Sequence, residues 1–171
     1  MFGYRLGMVA IRRARLEDRE HVYRFHRALY VDHRERVMPK GMELLYAYRD
    51  FENVLRQDVD AMLRNPSTTI LLAERDGEPL GYASGFVNNE PRRVLSRKGT
   101  LGDWYVLPEA RGAGVGRRLV ESLLAIFADA GCSVVETSTW PFNTDTRKAM
   151  AKLGFEEVQI VYRQELGTEE L

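Results

Sequence analysis

Residues 106–118, VLPEARGAGVGRR, place three alternate glycines between a predicted strand at 99–107 and a predicted amphipathic helix at 114–129. Glycine lets successive backbone N–H groups approach a ligand without an intervening Cβ. The first turn of the helix adds unpaired N–H donors and the positive end of the helix dipole. Arg117 and Arg118 stand in that turn, where cations are unfavourable unless an anion lies beside them. The stretch therefore predicts a binding site for a phosphate or pyrophosphate.

Two other nucleotide-binding loops fit this stretch poorly. A Walker loop ends in Gly-Lys-Ser/Thr, whereas Gly116 is followed by two arginines. A dinucleotide loop has the spacing G-x-G-x-x-G and an acidic partner about 20 residues later. Here the glycines stand at alternate positions, and the next predicted strand, 133–138, contains only Glu136 as an acid. A flexible strand-to-helix turn without a ligand is the remaining alternative.

A longer resemblance surrounds the glycine run. Residues 111–116, RGAGVG, resemble the R/Q-x-x-G-x-G/A signature of the GNAT superfamily of N-acetyltransferases, which bind acetyl-CoA there. Residues 103–112 are similar to the family's fourth strand and pyrophosphate loop. Asn143 followed by an LGF triplet at 153–155 resembles its closing segment, and residues 11–18 resemble its first strand and helix start. The resemblance spans residues 9–166, and its specific part is 103–118.

The resemblance implies an α/β fold that forms a single GNAT-like domain over residues 1–171, with residues 1–8 as a loose N-terminus. Its sheet is mixed and mostly antiparallel, is flanked by helices, and has splayed fourth and fifth strands, here 99–107 and 133–138. In the family, the pantetheine arm of acetyl-CoA inserts between these strands. The cofactor-binding residues that the resemblance implies are Val106, Arg111, Gly112, Ala113, Gly114, Val115, Gly116, Arg117 and Asn143. Asn143 has a second interpretation, as the N-cap of the last helix.

The implied activity is transfer of the acetyl group of acetyl-CoA to a primary amine of a small molecule or peptide, by direct attack in a ternary complex. The implied catalytic residues are Asp103 and Val106. Asp103 is a candidate base or substrate anchor, with a solvated strand residue as the alternative. The fourth strand, at Val106 and its neighbours, would polarise the thioester, and a backbone N–H there can stabilise the developing oxyanion.

The chain departs from the family at the general acid. Many relatives have a tyrosine seven residues after the asparagine of the last helix, and Met150 stands at that position. A thioether donates no proton, so either Tyr105, Tyr162 or a water acts as the general acid, or the thiolate leaves without one. A non-catalytic acyl-CoA-binding or sensing module is the alternative function.

The acceptor site is implied to lie between the first and second strands, a region rich in acids and tyrosines. These residues favour a cationic amine through charge and cation–π contacts, with the solvated face of two helices as the alternative. They are Tyr30, Asp32, His33, Glu35, Tyr46, Tyr48, Asp50 and Glu52.

Composition excludes several classes of function. Lys+Arg and Asp+Glu are both 25, and this balance argues against a dedicated binder of nucleic acid or of an anionic membrane. No apolar run approaches the ~18 residues of a membrane span, and the N-terminus lacks the apolar core of a secretory signal, which predicts a cytoplasmic protein. The single Cys132 excludes an internal disulfide, is predicted to be buried, and leaves no cysteine-rich metal site. The three histidines, at 21, 26 and 33, are interpreted as a partly exposed helix surface and not as a metal site, and a homodimer is left open.

Hydrophobic periodicity and breakers predict the remaining elements. A helix at 42–64 is marked by apolar residues at three- and four-residue steps, and Asp76-Gly77 predicts a hairpin turn. Residues 88–98 are predicted as a polar loop. The other predicted elements are strands at 9–14, 69–74, 80–87, 133–138 and 155–166 and helices at 16–37 and 143–153.

Overall fold

The computed structural model describes residues 8–164. The strands are β1 (Ala10–Arg13), β2 (Thr68–Arg75), β3 (Glu78–Asn89), β4 (Arg97–Val106) and β5 (Val134–Glu136). The α-helices are α1 (Arg19–Asp32), α2 (Phe51–Arg64), α3 (Val115–Asp129) and α4 (Thr144–Lys152). Short turns of 3-10 or π-helix cover 16–18, 33–37, 43–46 and 108–110.

The strands form one sheet in the order β1-β2-β3-β4-β5. The first four pair antiparallel, and β5 pairs parallel to β4. The hairpin between β2 and β3 turns at Asp76 and Gly77, which both have positive φ, as the Asp-Gly pair predicts. The α/β class and the mixed, mostly antiparallel sheet are therefore confirmed.

The β4–β5 pairing is short. It joins Lys98–Thr100 to Val134–Glu136. Beyond Thr100, β4 continues to Val106 alongside β3 only. The gap between the fourth and fifth strands that the sequence predicts therefore opens at the carboxyl end of β4.

A bulge in β4 sets which way its side chains point. Ala83 pairs with Trp104 and Gly85 with Leu101, so Ser84 alone faces two residues of β4. The Ser84 hydroxyl accepts a hydrogen bond from the Asp103 backbone N–H at 3.1 Å. Because a bulge shifts the alternation by one residue, Asp103 is directed toward α1.

Each face of the sheet is covered by helices, which gives two cores. One core packs α3 against the sheet, with Leu119, Leu123 and Phe127 almost fully buried. The other packs α1 and α2 against the opposite face, with Phe25 and Leu55 fully buried. β4 takes part in both cores, so its carboxyl end is held rigidly beside the gap.

Three predicted boundaries are corrected by the structure. The helix predicted at 42–64 begins only at Phe51, because residues before it form a single 3-10 turn with Leu44 exposed. The helix predicted at 16–37 divides into a 3-10 turn, α1 and a π-turn. The polar loop predicted at 88–98 shrinks to residues 90–96, because the polar ends of β3 and β4 continue the ladder in solvent, with an Asn88–Thr100 side-chain hydrogen bond of 2.9 Å.

The last strand predicted at 155–166 is wrong over the part that the structure describes. Residues 155–164 form no strand, because a strand needs a hydrogen-bonded neighbour and they have none among residues 8–164; 165–166 lie outside the described residues. Cys132 is half-buried rather than buried. Of the predicted loose N-terminus, only Met8 is described, in an exposed position outside any helix or strand. No helix in the described part of the chain is long and apolar enough to cross a membrane.

Candidate active site

A cleft of about 470 Å³ lies at the carboxyl end of β4, between the end of α1, the start of α3 and α4. Most of the sequence-predicted binding residues line it: Val106, Arg111, Gly112, Gly114, Val115, Gly116, Arg117 and Asn143. Ala113 belongs to the same turn without lining the cleft, and Asp103 and the exposed Arg118 lie off its wall. The structure therefore brings the glycine turn, the end of β4 and the start of α4 together, and places Asp103 apart from them.

The glycines of the turn are required for two different reasons. Gly112 and Gly114 both have φ of +77°, a left-handed conformation that L side chains adopt only with strain. Gly116 lies inside α3, and a Cβ there would come within 2.8 Å of the Trp104 ring. The turn thus places the start of α3 directly against β4.

The start of α3 presents positive potential to the cleft. Gly114 precedes the helix, and its first turn contains no acidic residue. The leading N–H groups of a helix have no partner within it, and the dipole adds positive charge there. Arg117 lines the cleft and forms an exposed ion pair with Glu121 at 2.7 Å, one turn along the same helix. This end of the cleft is therefore suited to an anion.

The backbone of Val106 faces the gap between β4 and β5. Leu107 donates its N–H to the carbonyl of Leu80 in β3 at 2.9 Å, and the backbone N–H and C=O groups of successive residues point to alternate sides of a strand. The Val106 N–H and C=O therefore point away from β3. The carbonyl accepts a 2.9 Å hydrogen bond from the Arg111 guanidinium, which also lies 5.4 Å from the centre of the Tyr105 ring. The N–H is left directed into the cleft.

The opposite wall of the cleft joins the end of α1 to the start of α4. Arg36 contacts Asp32 at 2.8 Å and Asp145 at 3.4 Å, and hydrogen bonding to Arg36 lowers the pKa of Asp32 from its ordinary value. Asn143 is buried and accepts the Thr146 N–H at 3.3 Å, so it caps α4 as one of its two interpretations predicts. It also lines the cleft, so the second interpretation stays a prediction.

A buried polar cluster, consisting of His26, Tyr82, Ser84 and Asp103, lies on the α1 side of β4. His26 Nδ1 is 3.2 Å from Asp103 Oδ2 and 3.0 Å from the Tyr82 hydroxyl. Burial, together with the Asp103 charge, raises the pKa of the Tyr82 phenol well above its ordinary value. The Asp103 side chain is 24% exposed, so it is the member that a solute can reach.

The interpretation of His26 as exposed helix surface is wrong, because the side chain is only 3% exposed. His26 stands in the apolar stripe of α1 with Val22, Phe25 and Leu29, which are all buried. That three- and four-residue spacing was the signal in the sequence that places it inward. A polar residue in such a stripe needs a polar partner, and Asp103 and Tyr82 are those partners.

Aromatic and acidic side chains surround the exposed part of this cluster. Tyr30 lies with its ring centre 5.0 Å from that of His26 and 5.7 Å from that of Tyr48. Asp58 Oδ2 lies 3.8 Å from His26 Nε2. Of the other residues predicted for the acceptor site, Asp32 and His33 line the cleft instead, and Glu52 pairs with Arg27. The residues of the predicted group that have been placed here are thus divided, and the Tyr46 side chain lies outside the described part of the chain.

A comparison with family models matches residues 16–155 to the acetyltransferase (GNAT) family. The chain belongs to the GNAT family. The match covers β4, the glycine turn and α4, so the elements that form the cleft are the family's own. The expectation of an acetyltransferase enzyme is confirmed.

Two similar relatives carry the same functional name. The aminoglycoside N(6')-acetyltransferase type 1 of Stenotrophomonas maltophilia is 29% identical over 119 residues, which are 66% of this chain and 76% of that protein. That of Klebsiella aerogenes is 26% identical over 64% of this chain and 73% of its own length. The chain is similar to these two relatives over most of their own length.

Solved structures show the same fold. An aminoglycoside N-acetyltransferase in complex with CoA superposes with a TM-score of 0.74 at 21% identity, over 97% of this chain and all of the other. A predicted acetyltransferase with acetyl-CoA from Clostridium acetobutylicum gives a TM-score of 0.72 at 18% identity, over 93% of this chain and 97% of its own. At this identity the likeness concerns the fold alone.

Met150, which stands where many GNAT relatives have a tyrosine, belongs to the hydrophobic core and does not line the cleft. Met150 is 7% exposed and packs with the α3 core, whereas its neighbours Ala149 and Leu153 line the cleft. Of the alternative acids, Tyr105 lines the cleft, and burial raises the pKa of its phenol, which keeps it protonated. Tyr162 is 88% exposed on the segment after α4. Tyr105 is therefore the alternative acid that the cleft itself contains.

Proposed function

We propose that this GNAT enzyme transfers the acetyl group of acetyl-CoA to a primary amine of a cationic small molecule, by direct attack in a ternary complex. The observation that carries the proposal is the end of β4, which pairs with β3 but not with β5, so that the Val106 N–H faces a cleft that begins at the glycine turn. Asp103 stands two positions before Tyr105 on the same strand, so both side chains point toward α1, and the Asp103 carboxylate is partly exposed. A site for the amine beside Asp103 would therefore adjoin the cleft for the acyl donor.

The residues that line the cleft suit acetyl-CoA in charge and hydrogen-bonding groups. The pyrophosphate would be held by backbone N–H groups of residues 111–116 and by Arg111 and Arg117, at the positive end of α3. The pantetheine amides would pair with the open backbone of β4, as one strand pairs with another. Acetyl-CoA supplies the thioester, and the Val106 N–H supplies a donor for the oxygen that becomes negative during attack.

The amine would bind on the α1 side of β4. Asp103 holds it as an ammonium, with Tyr30 and Tyr48 nearby for cation–π contacts. His26 and Ser84 both contact Oδ2 of Asp103 and fix the carboxylate in place. The ammonium loses one proton to water, its nitrogen forms the new C–N bond, and the C–S bond breaks. Tyr105 gives the departing thiolate its proton.

Aminoglycosides are the first acceptor class to test. The two similar relatives are named aminoglycoside N(6')-acetyltransferases, and such aminosugars carry several cationic amines that suit a surface of acids and tyrosines. The 25 basic and 25 acidic residues leave no basic excess for nucleic acid, which favours a small-molecule acceptor.

The function is tested by free-thiol release from acetyl-CoA against a panel of aminoglycosides, polyamines and peptides, with calorimetric titration of CoA beside it. We expect saturable CoA binding and turnover with at least one polycationic amine. CoA binding without turnover on any amine would support the alternative, a non-catalytic acyl-CoA-binding module. Turnover restricted to peptides would overturn the choice of acceptor.

CoA binding should weaken as the salt concentration rises, because salt screens the attraction between the arginines at the cleft and the phosphates of CoA. We expect Arg117→Gln to raise the CoA Kd by about two- to fivefold, the usual scale for an exposed charge pair. Arg118→Gln is the matched control, since Arg118 is the next residue of α3, is exposed and lies off the cleft wall. Titrations at several salt concentrations measure both variants, and equal effects of the two would contradict this placement.

A further inference from the structure

The imidazole of His26 lies between two carboxylates that come from different elements of the fold. Its Nδ1 is 3.2 Å from Oδ2 of Asp103 on β4, and its Nε2 is 3.8 Å from Oδ2 of Asp58 on α2. The histidine side chain is 4% exposed, whereas that of Asp58 is 44% exposed. A buried titratable ring therefore connects the acid at the proposed amine site with an acid at the surface of α2.

The groups around Nδ1 require a proton on that nitrogen. The Tyr82 hydroxyl lies 3.0 Å from Nδ1, beside Asp103. Burial, together with the Asp103 charge, raises the pKa of the Tyr82 phenol well above its ordinary value, so the phenol keeps its own proton. Without a proton on Nδ1, its lone pair would face the Asp103 carboxylate, and two acceptors would be in contact. With one, the N–H of His26 faces both oxygens, and the phenol can donate to Asp103.

The other ring nitrogen has an acid as its neighbour but no hydrogen bond. Nε2 of His26 is buried, and it makes no hydrogen bond to any of residues 8–164. Buried polar atoms in folded proteins are nearly always paired. In the neutral ring with Nδ1–H, Nε2 is an acceptor, and the Asp58 carboxylate that faces it is an acceptor as well. A proton on Nε2 makes it a donor directed toward that carboxylate, which satisfies both groups.

We propose that His26 is an imidazolium held between Asp58 and Asp103, and that Asp58 is thereby a positioning residue for the acetyl acceptor. This role rests on the proposed function, in which Asp103 holds the amine. The cation and the Ser84 hydroxyl together fix Oδ2 of Asp103. Removal of the Asp58 charge takes away the acceptor for Nε2–H and favours the neutral ring. The ring then attracts the Asp103 carboxylate less strongly, and that carboxylate is held less firmly for the amine.

The charge on His26 is tested by ¹⁵N–¹H correlation spectra of the imidazole rings in the full-length protein, which has three histidines. At about pH 7.5 an ordinary histidine is mostly neutral. We expect both ring nitrogens of His26 to carry protons there in the natural sequence, and Asp58→Asn to leave the neutral Nδ1–H form. Asp60→Asn is the matched control, because Asp60 lies two positions along α2 and pairs with Arg19. A neutral His26 in the natural protein would overturn the proposal, as would equal spectra for the two variants.

The positioning role is tested by steady-state kinetics. Asp58→Asn should raise KM for a cationic amine roughly three- to tenfold, within the range for residues of one hydrogen-bond network, and leave kcat and the CoA Kd nearly unchanged. In a His26→Gln background the same substitution should have no further effect, because it acts through the ring. An equal rise in KM in both backgrounds would mean that Asp58 contacts the amine itself, which overturns the positioning role.

Two further comparisons keep this result separate from the proposed function. If His26→Gln does not fold, Asp58→Glu takes its place, since it keeps a carboxylate on α2 and should restore both the imidazolium signals and KM. An unchanged KM in Asp58→Asn, where Asp103→Asn raises KM, overturns the positioning role alone. If neither variant changes KM, the amine lies elsewhere and the proposed acceptor site fails with it. The spectra of His26 need no acceptor, so they decide its charge in either case.

Discussion

Gly114→Val should weaken CoA binding roughly 100-fold or more, as measured by calorimetric titration. Gly114 has φ of +77° immediately before α3, and a β-branched residue there is strained by about 1–3 kcal/mol. The chain relieves that strain by moving the start of α3, which takes its leading N–H groups away from the anion. Each charge-assisted hydrogen bond lost in this way removes about 1.5–3 kcal/mol.

The chain offers a matched control for backbone strain. Gly77 has φ of +83° and, like Gly114, has no atom within 4 Å of the point where a Cβ would stand, but it lies in the β2–β3 hairpin away from the cleft. Gly77→Val should lower the melting temperature about as much as Gly114→Val and leave the CoA Kd unchanged. If folded Gly114→Val protein binds CoA as tightly as the natural sequence does, the glycine turn is not part of the binding site.

The glycine turn shows how far local sequence can predict a site. Alternate glycines before an amphipathic stripe predict a strand, a turn and a helix start, and the structure forms all three at those residues. Local chemistry is sufficient there because positive φ is a property of single residues. Local sequence does not predict that Gly116 packs on Trp104, because that contact depends on a residue 12 positions away.

His26 and Asp103 show where local sequence is insufficient. They are 77 positions apart, and they meet because a bulge opposite Ser84 turns Asp103 toward α1. Gly102, which lies in the bulge, is the one local signal for it, since a glycine inside a strand often accompanies a bulge. Without the bulge, the alternation along β4 would assign Asp103 to the wrong face. The histidine was identifiable as inward-facing from the stripe of α1, but its partner was not.

The last strand shows a third limit. Its alternating apolar residues predict a strand correctly as a preference, but a strand exists only as part of a ladder. The segment 155–164 has no ladder to join among the described residues, and its apolar side chains after Phe155 stay in solvent. The alternating pattern shows only that the segment can pair, because the pattern does not specify a neighbouring strand.

The contacts of Asp103 favour an anchor over a base. Its Oδ2 lies 3.2 Å from His26 Nδ1 and 3.3 Å from the Ser84 hydroxyl, and Tyr82 stands beside it. These contacts hold the carboxylate in one position. A carboxylate that is fixed in this way is suited to bind a cationic amine.

Asp103→Asn should therefore lower kcat/KM for a cationic amine by roughly 10- to 100-fold, the usual scale for one charge-assisted contact, and mainly by raising KM. The loss should be largest at pH values where the acceptor is an ammonium and should narrow as pH rises and the amine becomes neutral. Steady-state kinetics across pH measure this, with Asp60→Asn as control, because Asp60 pairs with Arg19 and takes no part in the cluster around His26. A fall in kcat of about 10²-fold at every pH would instead make Asp103 the base. If Asp103→Asn changes the kinetics at no pH, β4 contributes only its backbone to the reaction. The amine would then be held by other acidic residues on the α1 side.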